Sequence, residues 1–251
     1  MKKICVMANT EYKFVDHYEF DEELLKKAFA EAKAILKSRG FMREMGWGKA
    51  SAITTVDMAK AWMSEGHPFT CDHSEEVCAN ALKILEAARK VGVPIFHTTT
   101  GFTGKTQWDL PRWDEKIPLT TLDINSEWME IDPKIKPRPD EPVIHKKFAS
   151  NFFGTHLGAT LNYLGVDTVI VMGATAGGCV RHSVMDSTGL GFKTIVPEGC
   201  VGDRTPGVIE WNMFDMEAKF CDVKTVDEVV EYLLGIDPSV YTKHARALDQ
   251  K

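Results

Sequence analysis

The chain has 251 residues, 44% of them hydrophobic and 26% charged, and a net charge of −6. That length supplies one sizeable α/β core or two small domains, and with no Pro- or Ser-rich linker and no internal repeat, one domain is expected. The acidic balance argues against a nucleic-acid surface, no run approaches the roughly 18 apolar residues that span a bilayer, and the opening MKKICVMANTEYKF is too weakly apolar for a secretory leader, so a cytoplasmic protein with no membrane partner is expected.

Residues 21–38, DEELLKKAFAEAKAILKS, place Leu24, Leu25, Ala28, Ala32, Ile35 and Leu36 at helical spacing, with acidic residues leading and lysines following. Arg39-Gly40 stops that helix, and residues 41–49 form an irregular lead-in. A short buried strand is predicted over 52–56, ending at Asp57. A helix follows over 74–90, with Leu82, Leu85, Ala88 and Val91 on its apolar face and Gly92 at its end. Strands are predicted over 93–98 and 142–145, separated by an irregular stretch rich in Trp, Asp and Pro at 100–140. A helix over 155–164 leads to a continuously apolar strand over 167–172. A Gly-rich turn and Cys179 then open another helix. A strand over 193–196 and helices over 206–220 and 226–234 complete the chain.

Strands alternating with helices, several of them apolar throughout, imply an α/β fold: a mainly parallel sheet with helices on both faces. Ligands of such folds bind beyond the carboxyl ends of the strands. Asp57, Lys146 and the turn before Cys179 all fall at such ends. Together they form a workable set for nucleophilic catalysis. The cysteine attacks a carbonyl, the aspartate accepts its proton and returns it to the departing amine, and the lysine balances the charges. A helix N-terminus also favours thiolate over thiol, which predicts an ionised Cys179.

Each residue has a plainer reading. Cys179 could be a small buried hydrophobe, Asp57 a helix cap, Lys146 a surface charge, and Arg204 a salt-bridge partner within its loop. His182, three residues after Cys179, could form a Cys–His dyad, although a nucleophile rarely finds its base one turn along its own helix. The six cysteines, Cys5, Cys71, Cys78, Cys179, Cys200 and Cys221, are widely spaced with no C-x-x-C pair, so reduced thiols are expected and those other than Cys179 read as packing residues. A redox role for Cys179 would need a resolving partner such as Cys200. The turn Gly173 to Gly178 has Thr175 where a dinucleotide fingerprint needs its middle glycine; no cofactor is expected.

Three segments carry a family resemblance: Val56-Asp57-Met58; Lys146 to Thr155, which reads K-x-x-x-S-x-F-x-G-T; and Gly173 to Val180, which reads G-x-T-x-x-x-C-V. Together they resemble the isochorismatase-like cysteine hydrolases, over about residues 46–220. The resemblance implies a three-layer α/β/α hydrolase domain over 51–251, preceded by a helical extension and lead-in at 1–50. It implies Asp57, Lys146 and Cys179 as the catalytic residues. It also implies a cis peptide between Ala174 and Thr175, whose Thr175 N–H joins that of Cys179 at the oxyanion. The motif spacing selects Lys146, leaving Lys147 as a solvated charge.

Val201-Gly202-Asp203-Arg204 and Glu210 to Asp215 look like the N-carbamoylsarcosine amidase branch. That likeness implies Arg204 as the ligand of a substrate carboxylate, a small-molecule substrate, and a homo-oligomer, dimer or tetramer. Maleamate, biuret and ureidoacrylate remain alternative amides, as does a non-catalytic ligand-binding homologue. The vinyl-ether hydrolase of the wider family does not need a cysteine, so Cys179 disfavours that activity. The chain departs from the branch at Ile209, often a histidine, and in its loose Ala176-Gly177-Gly178 turn. Trp108, Trp113 and Trp128 are candidates to cap the pocket from the 100–140 segment. Asp57-Met58-Ala59 lacks the histidine of zinc-binding relatives, and His67 and His73 lack ligand spacing, so no metal is expected.

Overall fold

The computed structural model describes residues 4–7, 10–13 and 21–241. The side chain of Cys5, the other residues before 21, and residues 242–251 lie outside the described residues, so the packing role expected of Cys5 and both ends of the expected domain division fall there. β1 (Ile4–Met7) and β2 (Thr10–Lys13) pair antiparallel, a hairpin too short to register in the hydrophobic pattern.

The main sheet contains β3 (Ser51–Val56), β4 (Ile95–Thr100), β5 (Val143–Lys146), β6 (Thr168–Ala174), β7 (Lys193–Pro197), β8 (Val201–Gly202) and β9 (Asp222–Lys224). Their order is β5-β4-β3-β6-β7-β9, with β8 beside β6, and every pairing is parallel. The five expected strands are present. β8 and β9 carry two and three residues, too few for a readable alternation.

The helices are α1 (Glu22–Ser38), α2 (Lys60–Met63), α3 (Ser74–Val91), α4 (Leu157–Tyr163), α5 (Arg181–Gly189), α6 (Pro206–Lys219) and α7 (Val226–Leu234). Gly92 ends α3 in the left-handed region, φ +74°, and its N–H reaches the Ala88 carbonyl. Thr225 and Glu228 close a reciprocal capping box on α7.

Side chains alternate along β6 and so divide the core. Ile170 and Met172 join Ile53, Ile95 and Ile195 against Ile84, Leu85 and Ala88 of α3 and Val229 and Leu233 of α7. Val169 and Val171 join Ala52, Phe96 and Ile144 against Leu157 and Leu161 of α4 and Val180 and Val184 around α5. Burying both faces is what makes β6 apolar from Val169 onward.

The lead-in fastens onto this sheet through backbone N–H groups. Those of Met45 and Gly46 donate to Asp222, that of Gly48 to Thr168, and those of Lys49 and Ala50 to Asp167. A β-carbon at Gly48 would stand 2.0 Å from an Asp167 oxygen, so any other residue would displace the side chains that hold this backbone. α1 leans on α6 through Phe29 stacked on Phe214 at 4.4 Å, while Leu24 and Ile35 stay exposed. No described helix is long and apolar enough to cross a membrane.

The 100–140 segment is built from 3-10 turns rather than longer elements. His67 ties it down. Its ring accepts the Phe69 N–H at 3.2 Å and, through its other nitrogen, donates to the Thr121 carbonyl at 3.4 Å. Burial lowers its pKa from 6.5 to about 4. The unfolded chain therefore binds the extra proton first as pH falls. Stability should drop between pH 6.5 and 4, by about 3 kcal/mol from this residue, and buried His97 shifts in the same direction. Urea unfolding at pH 7 and pH 4.5 should show a smaller acid loss in His67→Gln than in the parent; equal losses would exclude His67 as a source.

Candidate active site

The chain lays β3, β4 and β5 outward in one direction and then returns to place β6 on the other side of β3. The reversal opens a crevice at the carboxyl ends of β3 and β6, where open α/β sheets bind ligands. Asp57 follows β3 directly, and Cys179 lies in the turn after β6. Val56 and Gly173 are paired across the two strands. Gly173 has φ +127°, and a β-carbon there would stand 2.2 Å from the Val56 carbonyl oxygen. Glycine is therefore required where these two strands draw together beneath the site.

Lys146 ends β5, two strands from β3, a gap of roughly 9–10 Å between strand axes. Its long stem crosses the end of the intervening β4. The ammonium donates to Asp57 Oδ2 at 2.8 Å, to Thr100 Oγ1 at 2.7 Å, and to the carbonyls of Ala149 and Phe148 at 2.9 and 3.2 Å. Thr100, the last residue of β4, donates its backbone N–H to Asp57 Oδ1 at 2.7 Å and its hydroxyl to the same oxygen at 3.0 Å. Both side chains of the ion pair are 0% exposed. Burial works against the Lys146 ammonium, but the charge of Asp57 beside it outweighs that and holds its pKa above the ordinary value. Neither the helix-cap reading of Asp57 nor the surface-charge reading of Lys146 survives this geometry.

Cys179 is 7% exposed, within a π-type turn, Ala176–Val180, that runs into α5. Gly178 breaks the helical path there, with φ −125° and ψ −105°. The thiol interacts with both Asp57 and Lys146, and burial pushes its pKa up to about 12 despite the lysine. The ionised cysteine expected from a helix N-terminus is thus corrected: desolvation outweighs the helix end and the ammonium, and the resting group is a thiol. The peptide bond between Ala174 and Thr175 is cis.

Lys147 also differs from expectation. Strand alternation does turn it away from Lys146, but it is not a free solvated charge. It donates to the Gly101 carbonyl at 2.6 Å, pairs with Asp109, and sits over the Phe102 ring. His182 turns its ring to the Gly178 carbonyl at 2.8 Å and onto the Phe148 edge, an arrangement unlike a Cys–His dyad. Cys200 belongs to the core on the α3 face, and Cys179 to the core on the α5 face; the sheet separates them. Cys71, Cys78, Cys200 and Cys221 are buried free thiols.

Arg204 follows β8, with its side chain 44% exposed, 3.5 Å from Asp203 and 5.9 Å above the Phe69 ring centre. Asp203 is the anchor here: it accepts the N–H groups of Gly177 at 2.9 Å and Arg204 at 2.8 Å, tying the cysteine turn to the arginine loop. Of the three tryptophans, Trp113 packs on Phe148, whose carbonyl holds Lys146. Trp108 is 93% exposed, and Trp128 lies against His67. Among the described residues, no group of three or more His, Cys, Asp and Glu is placed to hold a metal. A groove of about 650 Å³ lined by Lys60, Ile131 and His145, among others, contains none of these site residues.

Thr100 and Asp203 are the site residues that sequence reasoning missed. Thr100 is one of three consecutive threonines, and only the strand order shows that it stands between Asp57 and Lys146. Asp203 lies inside a quoted motif, but its partner Gly177 is distant in sequence.

The model of the isochorismatase domain matches residues 51–228. Over 214 residues the chain is 44% identical to an N-carbamoylsarcosine amidase of Arthrobacter, covering 84% of this chain and 81% of that one. Over 197 residues it is 30% identical to a maleamate amidohydrolase of Pseudomonas putida, covering 76% and 90%. A solved cysteine hydrolase from Pseudomonas syringae pv. phaseolicola shares the fold, with a TM-score of 0.70 at 21% identity, over 81% of this chain and all of that one.

Proposed function

Because this chain belongs to the isochorismatase family, we propose that it is a metal-independent cysteine amidohydrolase whose substrate is N-carbamoylsarcosine. The observation that carries the reading is the fully buried Asp57–Lys146 pair facing the Cys179 thiol at the sheet's reversal point. A buried ion pair rarely improves stability over an apolar core of the same shape, so its presence in a cleft is better explained by chemistry.

In this mechanism Cys179 attacks the carbamoyl carbon while its proton passes to Asp57. A sulfur–carbon bond forms, and the carbonyl electrons move onto oxygen. The N–H groups of Thr175 and Cys179 stabilise that oxyanion. As the carbonyl re-forms, the bond to the terminal nitrogen breaks, and the proton on Asp57 leaves with it as ammonia. The remaining thioester-type (thiocarbamate) enzyme is attacked by water, which gives Asp57 a proton and displaces the sulfur; the sulfur recovers that proton. The released N-carboxysarcosine loses carbon dioxide to give sarcosine. Lys146 stays charged throughout and balances whichever of Asp57 and Cys179 is anionic.

Arg204 binds the substrate carboxylate. Its exposed planar fork suits that role, and its ion pair with Asp203 at 3.5 Å leaves further donors for a ligand. The 30% identity to a maleamate amidohydrolase keeps a second small acid amide in view. An ammonia-release screen over N-carbamoylsarcosine, maleamate, biuret and ureidoacrylate decides among them. Arg204→Ala should lower kcat/KM by about 10- to 100-fold on the carboxylate-bearing substrates, the worth of one charge-assisted bond, and leave biuret turnover unchanged. An equal loss on every substrate would remove the carboxylate role.

A further inference from the structure

The turn that carries Cys179 departs from a regular helix, so something must hold its thiol in line with Asp57 and Lys146. The Ser183 hydroxyl, one turn into α5, donates to the Cys179 carbonyl at 2.7 Å. Serines often bond back four residues along a helix, and alone this would mean little. Ser183 is also held from outside its helix: its hydroxyl oxygen accepts the backbone N–H of Asn151 at 2.9 Å.

Asn151 is itself fixed to the strands beneath the site. Its amide donates to Thr54 Oγ1 of β3 at 2.8 Å, and its side-chain oxygen accepts the Thr98 hydroxyl of β4 at 2.7 Å. Asn151, Ser183 and Thr98 are 0% exposed and Thr54 1%. The same short segment supplies the Phe148 and Ala149 carbonyls that hold the Lys146 ammonium. Residues 146–151 are therefore linked to all three members of the proposed triad: they contain Lys146, whose ammonium meets Asp57, they are tied to Thr54 of β3, and they reach the Cys179 backbone through one hydroxyl.

We propose that Ser183 is a positioning residue, and that the Thr54–Asn151–Ser183 hydrogen-bond chain sets the place of the Cys179 thiol relative to the Asp57–Lys146 pair; this rests on the reading of Cys179 as the nucleophile. Buried polar chains of this kind are fully satisfied and therefore rigid. A displacement of about 1 Å at reacting atoms can cost about 10²-fold in rate. Ser183 touches neither substrate nor the transferred proton, so its loss acts on the chemical step and not on binding.

The test is Ser183→Ala in the full chain, measured by thermal melting and by steady-state ammonia release from the amide the parent turns over. The expected result is a fall in kcat of about 10²-fold with KM within about threefold. A variant that melts lower yet keeps the parental kcat while folded would overturn the proposal. Should the alanine variant fail to fold, Ser183→Cys, which fills the same space with a weak donor, is read against the same two outcomes. A parent that releases no ammonia from any amide brings down the functional reading alone. Positioning is then read from the pH profile of Cys179 alkylation by iodoacetamide. Ser183→Ala should change the rate by about tenfold or more, and an unchanged profile would overturn the proposal.

Discussion

Lys146→Met should cost about 3–5 kcal/mol of stability and remove measurable turnover, because it leaves the buried Asp57 carboxylate without its counter-charge. The lysine donates to four acceptors from β3, β4 and the 146–149 segment. Methionine keeps much of the stem's volume and loses all four bonds. Thr100 continues to donate to Asp57, which is too little to balance a buried charge. Adding Asp57→Leu removes that charge and should recover most of the lost stability without recovering activity, since an apolar pair of similar volume is commonly as stable as a buried ion pair. Urea unfolding of parent, single and double variants checks this. A single variant as stable as the parent would mean that the pair is not the desolvated unit described here. A double variant that regains turnover would mean that the pair is not part of the chemistry.

The parts of this arrangement differed in how legible they were in the sequence. The α/β class could be read because β6 is apolar from Val169 to Ala174 and α3 is periodic with a glycine stop, and both signals come from burial. The strand-end places of Asp57, Lys146 and Cys179 followed from those boundaries, with the family resemblance adding roles. Local pattern did not contain the strand order, which is a product of tertiary packing. It is the order that brings Thr100 between two distant charges and turns Lys147 onto Asp109 and Gly101. The ionisation of Cys179 was misread for a related reason. A helix terminus is visible in sequence, whereas burial of the sulfur in the folded chain is not, and desolvation is the larger effect. Asn151 and Ser183 stand in plain view near recognised motifs, yet their bond spans 32 residues and is known only from the fold.

In the proposed mechanism a resting thiol gives up its proton during the attack itself, so the rate should depend on sulfur and carboxylate acting together. Removing the sulfur would leave nothing to form the proposed covalent intermediate, while Asp57, Lys146 and Thr100 keep their mutual bonds. Cys179→Ala should therefore fold with a melting temperature close to the parent's and lose roughly 10⁴–10⁶-fold in kcat, the scale seen when a nucleophile is deleted from an enzyme of this kind. The decisive measurement is ammonia release from N-carbamoylsarcosine by parent and Cys179→Ala side by side, with a chelator present throughout. The account predicts sustained release by the parent and none above background by the variant. Release by the folded variant at the parental rate, or release by the parent that stops on chelation, would contradict it.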